Sequence, residues 1–220
     1  MDVIIPDNLF PYFEMCGMRK NYAPGEMIRQ EIPGSERLYL VEAGRVRVYC
    51  SDASGRELTL RIMGKGRLIG EDIFVGFAEA KTAVSAVNDV TVVSCSVQDL
   101  FPYITRSEEL LRAILLHLTG TNVSLTRHIR RIAMFDSRQR VASYLYEETK
   151  EDNPPRNIIN HTLPYFHDQL SVCLGLNRVT VSRILDEFRK KGYISTGYRR
   201  IRVCDFEGLR SEFDDGSGKV

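Results

Sequence analysis

Between residues 22 and 97 the apolar positions come in short β-branched and aliphatic runs, Leu38-Tyr39-Leu40-Val41, Val46-Arg47-Val48-Tyr49 and Leu58-Thr59-Leu60-Arg61-Ile62. Glycines punctuate them at Gly25, Gly34, Gly44, Gly55, Gly64, Gly66 and Gly76. Runs of this length between turn formers predict strands, and Asp52-Ala53-Ser54-Gly55 predicts a hairpin turn between two of them. Many short strands of this kind imply a sandwich or barrel. From about 107 to 135 the period changes: Leu111, Leu118, Leu125 and Ile132 recur every seven residues, with Leu115, Asn122 and Ile129 four residues after the first three. That is a two-position apolar seam on one long helix, the pattern by which two helices pair. Asn122 interrupts the seam with one polar group, which in a paired helix fixes register. Arg112, Arg127, Arg130 and Arg131 are expected to keep the rest of this helix in solvent. A second helix is predicted over 137–149, ended by a polar stretch with Pro154 and Pro155.

The segment 163–185, LPYFHDQLSVCLGLNRVTVSRIL, predicts two helices around a tight turn. The first, over 164–174, is stopped by Gly175, suited to a left-handed C-terminal turn, and Asn177 caps the second. Small Ser171 leaves room for a steep helix crossing. On the second helix Val181, Ile184, Leu185 and Phe188 fall at core spacing, leaving Arg178, Val179, Ser182, Arg183 and Asp186 on the opposite face. Beyond Gly192, strands are expected at 193–195 and 200–203, around a basic turn at 196–199. Together these describe a winged helix-turn-helix whose recognition helix begins near Arg178. In a major groove, Arg178 and Arg183 can bond guanine, Ser182 a base edge or a phosphate, and Val179 a thymine methyl. Thr180 lies on the same turn. His167, Arg199 and Arg200 are candidate phosphate contacts.

Composition adds little until it is localised. The 220 residues hold 30 Lys and Arg against 29 Asp and Glu, a net charge of +1, but residues 164–203 hold eight basic and three acidic side chains, a local excess of five. Such an excess suits a phosphate array. The five cysteines, Cys16, Cys50, Cys95, Cys173 and Cys204, have no C-x-x-C spacing, so no metal or cofactor site is expected and the thiols are read as idle. No apolar run approaches a membrane span and the first residues do not resemble a signal peptide, so a cytoplasmic, membrane-free protein is expected. With no metal-binding spacing, no phosphate-cradling glycine loop and no nucleophile beside a base, an enzyme is not expected. His117 and His128 lie eleven residues apart on roughly one face of the long helix, while His161 and His167 flank the helix-turn-helix; neither pair suggests catalysis.

Over nearly the whole chain the sequence resembles the CRP/FNR superfamily of transcription regulators. Gly25-Glu26, the block Arg67-Leu68-Ile69-Gly70-Glu71-Asp72, Lys81-Thr82-Ala83, the long helix and Arg178-Val179-Thr180-Val181-Ser182-Arg183-Ile184-Leu185 follow in the family's order and spacing. The resemblance implies an α+β fold: an N-terminal double-stranded β-helix, the cyclic-nucleotide-binding-like β-roll, sensing an effector over 1–106. A dimerisation helix and hinge follow over 107–136, and a C-terminal winged helix-turn-helix over 137–220. It implies effector contacts at Gly70, Glu71, Asp72, Lys81, Thr82 and Ala83, joined by Leu125 and Thr126 from the long helix. Dimerisation falls to Leu111, Leu115, Leu118, Asn122, Leu125, Ile129 and Ile132. Expected partners are double-stranded DNA, a second copy of the chain, a small-molecule effector and RNA polymerase.

Two departures bear on the effector. Lys81 stands where cyclic-nucleotide binders carry arginine, losing the bidentate fork for phosphate. Leu125 replaces one of two hydroxyl residues placed against the adenine. The opening Ile4-Ile5-Pro6-Asp7-Asn8-Leu9-Phe10-Pro11 and the run Val179-Thr180-Val181-Ser182-Arg183 look most like the halophenol-responsive CprK subgroup. That likeness implies a halogenated phenol or another aromatic acid or phenol as effector and an A/T-rich inverted repeat as operator. A cyclic-nucleotide-binding regulator, or a β-roll sensor subunit docking on another protein, are the alternatives.

Overall fold

The computed structural model describes residues 3–30, 37–55, 57–75, 82–149, 162–163, 167–197 and 200–214, and the chain divides into two compact units, Asp2–Val123 and Ser124–Val220. In the first, a 3-10 turn at Asp7–Leu9 leads into α1 (Phe10–Cys16), then β1 (Gly17–Tyr22), β2 (Met27–Arg29), β3 (Arg37–Ala43), β4 (Val46–Ser51), β5 (Glu57–Met63) and β6 (Leu68–Ile69). A second 3-10 turn at Glu71–Val75 precedes β7 (Ala83–Ala86) and β8 (Val90–Ser96), and α2 (Val97–Arg106) leads to α3 (Glu108–Met134), whose residues from Ser124 onward belong to the second unit. The strands form two four-stranded antiparallel sheets, ordered β1-β8-β3-β6 and β2-β7-β4-β5.

Side chains alternate across a strand, and β3 shows what this requires of the sequence. Leu38 and Leu40 enter a cluster with Ile5, Phe13, Leu100 and Leu110, under the helices. Tyr39 and Val41 enter the other cluster, with Val46, Val84 and Val92. β8 does the same, with Val93 and Cys95 on one side and Val90 and Val92 on the other. Strands buried on both faces read as unbroken apolar runs. Each such side chain contributes roughly 1.5–3 kcal/mol on burial. The predicted hairpin closes on Gly55, whose N–H donates to Asp52 O at 2.9 Å and whose φ of +80° favours glycine.

Neither α1 nor α2 was expected from the apolar pattern. Ser96 starts α2 by accepting from the Asp99 amide at 3.0 Å, and Ser107 separates it from α3, its hydroxyl accepting from the Leu110 amide at 3.2 Å. Pro102 inside α2 disguises it as a break. The N-terminal residues are fastened to the same unit. The Ile5 amide donates to Gly66 O at 2.7 Å, Arg67 donates to Val3 O at 3.0 Å, and His117 Nδ1 lies 3.1 Å from that same carbonyl. Val3 packs against Gly120, where a Cβ would stand 3.1 Å from its Cγ2.

In the second unit Asp136 opens α4 (Ser137–Thr149) by accepting from the amides of Arg138 and Gln139, both at 2.8 Å. There follow β9 (Thr162–Leu163), α5 (His167–Leu174), α6 (Arg178–Lys190), β10 (Ile194–Gly197), β11 (Arg200–Val203) and α7 (Phe206–Ser211). The strands pair antiparallel in the order β10-β11-β9. Val141, Leu145, Leu163, Leu170, Leu174, Ile201 and Leu209 are buried, as are the four expected core positions of α6. β10 runs on to Gly197, paired with Arg200, so Thr196 and Gly197 belong to the strand rather than the turn.

Arg131 corrects the expectation that it faces solvent. It is buried, with Nε donating to Ser143 Oγ at 3.1 Å, Nη2 to Glu147 at 2.5 Å, and its guanidinium 5.4 Å from the Tyr144 ring centre. The charge is admitted because α4 supplies an acceptor, a carboxylate and an aromatic face together.

Candidate functional site

The recognition-helix geometry starts from its cap. Gly175 takes φ +61°, the Leu176 amide returns to Ser171 O at 2.9 Å, and Asn177 Oδ1 accepts from the Val179 amide at 2.8 Å. Such a cap contributes about 1 kcal/mol and sets where α6 begins. With Val181, Ile184, Leu185 and Phe188 turned inward, Arg178, Val179 and Arg183 are exposed and Thr180 and Ser182 partly so. Val179 is 75% exposed, an unusual position for a valine with no partner surface. The wing alternates in the same way: Ile201 and Val203 are buried, Arg200 and Arg202 exposed.

The acids on α6 are neutralised. Asp186 pairs with Arg189 at 2.5 Å and Lys190 at 3.7 Å, and Glu187 pairs with Arg138 from α4. Arg138 also donates to Glu212 at 2.5 and 3.1 Å and lies 5.0 Å from the Phe188 ring centre. Lys191 reaches Glu212 at 2.8 Å. Hydrogen bonds from Arg138 outweigh desolvation and, with Lys191, hold the Glu212 carboxyl down at about 2; the same contacts raise Arg138. The network ties α4 and the segment after α7 to the helix, and it engages both acids of α6 with basic side chains.

Of the remaining DNA candidates, Arg199 lies outside the described residues, as does the side chain of His167. Among the effector candidates, Gly70 has φ +90° and sits so close to Arg37 that a Cβ would stand 2.7 Å from its carbonyl oxygen. Glu71 begins the 3-10 turn beyond it, Thr82 is half-buried, and Ala83 is buried in β7. Lys81 and the side chain of Asp72 lie outside the described residues. Leu125 and Thr126 belong to the other compact unit and are exposed.

Sequence reasoning missed the group that faces Glu71. His117 is fully buried, and its Nε2 lies 3.8 Å from Glu71 Oε1, beyond a hydrogen bond but within reach of charge attraction. Burial works against the Glu71 carboxylate, but His117, the backbone and Arg61 outweigh it and hold its pKa below the usual range. The hint available was that Leu110, Ala113, Ile114 and His117 share helical spacing, on a face beside the seam that drew attention. On the seam, Leu111, Leu115, Asn122, Leu125, Ile129 and Ile132 are exposed, Ile129 at 66%, whereas Leu118 is partly buried against the first unit's own core. Among the described residues no helix is long and apolar enough to cross a membrane, and no cluster of three metal-ligating side chains occurs.

Residues 139–212 match the family model of the Crp-like helix-turn-helix domain, and residues 19–107 that of the cyclic nucleotide-binding domain. The chain is 31% identical over 186 residues to the transcriptional regulator SdrP of Thermus thermophilus, covering 81% of this chain and 85% of that one. A crystal structure of a CRP/FNR-family transcriptional regulator, also from Thermus thermophilus, superposes with a TM-score of 0.69 at 28% identity, over 90% of this chain and 98% of the other. CprK complexed with OCPA superposes with a TM-score of 0.71 over 94% of each chain, but at 18% identity it shares the fold alone.

Proposed function

Because the chain belongs to the CRP/FNR family of DNA-binding transcription regulators, we propose that it reads an A/T-rich inverted repeat as a homodimer under the control of a small effector. The observation that carries this reading is the outward face of α6. It is capped, supported and relieved of its own acids, and it presents Arg178, Val179, Thr180, Ser182 and Arg183, with Arg200 on the wing. Arg199 and His167 are proposed as phosphate contacts beside it. The valine cannot accept a hydrogen bond from cytosine, so a thymine is expected opposite it. Dimerisation along α3 is supported by its seam of exposed apolar side chains. In this reading residues 1–106 sense, 107–136 pair and hinge, and 137–220 bind the duplex, and RNA polymerase is the partner that a bound regulator meets.

The effector is proposed to be a halogenated phenol or a related aromatic acid, taken by Gly70, Glu71, Asp72, Lys81, Thr82 and Ala83 with Leu125 and Thr126. Lys81 would pair with the phenolate. A cyclic nucleotide is the second reading, favoured by the match of residues 19–107 to a cyclic nucleotide-binding domain. Effector that prefers the DNA-competent arrangement shifts the population toward it. Fluorescence anisotropy on an A/T-rich inverted repeat, run at several salt concentrations with each candidate effector, tests the whole reading. Steep salt dependence and a preference over scrambled duplex support it; affinity indifferent to sequence in every case overturns it.

A further inference from the structure

The thiols expected to be idle are not independently placed. In the pairing of β1 with β8, Gly17 stands opposite Cys95, so Cys16, the last residue of α1, adjoins the residue facing Cys95. Opposed residues on antiparallel strands have Cα atoms ~4.5–5.5 Å apart, which fixes Gly17 against Cys95 and leaves Cys16 one residue away from that contact. Gly17 makes the approach close. A Cβ there would stand 2.6 Å from Phe13 O, 2.8 Å from Val93 Cγ1 and 2.9 Å from Ser94 O, so only glycine lets the end of α1 settle on β8. Cys95 is fully buried in the cluster beneath the helices, and the half-buried Cys16 packs against that same cluster. The two thiols shift each other's titration, and the Cys16 thiol donates to Tyr12 O at 3.1 Å.

We propose that Cys16 and Cys95 are a redox pair, joined reversibly by an intramolecular disulfide when the chain meets a low-molecular-weight disulfide oxidant. Cys16, the solvent-accessible member, loses its proton and attacks one sulfur of the oxidant. The oxidant's S–S bond breaks, and its first thiolate leaves with the bonding electron pair and takes up the proton that Cys16 lost. Cys95 then attacks the Cys16 sulfur of the mixed disulfide, its proton passing to the second departing thiolate. Two protein thiols are oxidised to one disulfide and the oxidant is reduced to two thiols, so atoms and electrons balance.

Burial pushes Cys95 up to about 12 and raises Cys16 as well. Thiols of this kind attack slowly, and once joined they leave slowly. The bridge therefore registers the standing thiol–disulfide poise of the surroundings rather than a brief pulse of oxidant. Closing it ties α1 covalently to β8 inside the unit proposed to sense, giving that unit a second input independent of any effector.

The test equilibrates the full-length protein in glutathione buffers of increasing oxidised fraction. Circular dichroism confirms the native fold before acid quenching, unfolding, alkylation and peptide mass mapping, with Cys50, Cys173 and Cys204 as internal comparisons. The expected result is parallel loss of alkylation at Cys16 and Cys95, a mass lower by two hydrogens, a linked peptide joining the two, and recovery on reduction. In Cys16→Ser, Cys95 should stay fully alkylatable. The proposal is overturned if Cys16 only acquires glutathione while Cys95 remains a thiol, if either pairs with another cysteine, or if both stay reduced where a reference vicinal dithiol is oxidised.

Discussion

α3, which is shared between the two units, and α6 each bury one face and leave another uncovered, yet the uncovered faces are chemical opposites. On α3 it is Leu111, Leu115, Leu125, Ile129 and Ile132; on α6 it is Arg178, Val179 and Arg183. An apolar seam gains free energy from any matching apolar surface, at ~25 cal/mol per Å², without direction and with little dependence on salt. Its specificity has to come from elsewhere, and the exposed Asn122 within it is the available device. A face of guanidiniums is directional, and against phosphates its affinity falls steeply with salt. The two helices therefore ask for different partners, and the supports behind them differ accordingly. α6 is held by a cap and an ion network, the support that the proposed base contacts would require.

The sharpest way to break the contrast is to put charge into the seam. Ile129→Glu should dissociate the dimer in sedimentation velocity and abolish measurable operator binding, with the isolated fold retained by circular dichroism. Arg178→Ala, at unchanged dimerisation, should weaken operator binding about 10–100-fold and lower the salt slope by about one contact. A smaller effect is expected from the supporting network. Because the folded-state value of Glu212 is depressed to about 2 from the ordinary 4.5, its contribution to stability is present above pH 4.5 and is lost as pH falls toward 2. Glu212→Gln should therefore cost about 1–3 kcal/mol near neutral pH and flatten the acid dependence of unfolding between those limits. The smallest is a change of preference rather than strength: Val179→Glu should move the favoured base from thymine toward cytosine by about tenfold, read from competing duplexes. No change in preference would remove Val179 from the set of base contacts.

The two helices also differ in how far the chain alone discloses their surroundings. The start of α6, its cap, the glycine turn and the alternation of the wing are local, so spacing carries them and assigns both faces of the helix. The strands β3 and β8 were readable because burial on both sides leaves an unbroken apolar signature. What stayed hidden was long-range. Arg138 meets Glu212 across 74 positions and His117 meets Val3 across 114, and no periodicity encodes such a meeting. Arg131 looked like solvent charge because its acceptors lie on another helix, and α2 was concealed by a proline within it. The effector candidates were carried by likeness to a family, and the buried His117 beside Glu71 could not be placed by that route.

The clasp around Val3 bears on how the first unit opens locally. Val3 supplies one carbonyl to two side chains, Arg67 and His117, while Ile5 is fully buried. Were this segment displaced, both groups would lose their acceptor, Gly120 would be uncovered and Ile5 would leave the core with it. Opening of this segment and loosening of the core beneath it are then one cooperative event, read as hydrogen-exchange protection that the Ile5 amide shares with the core amides.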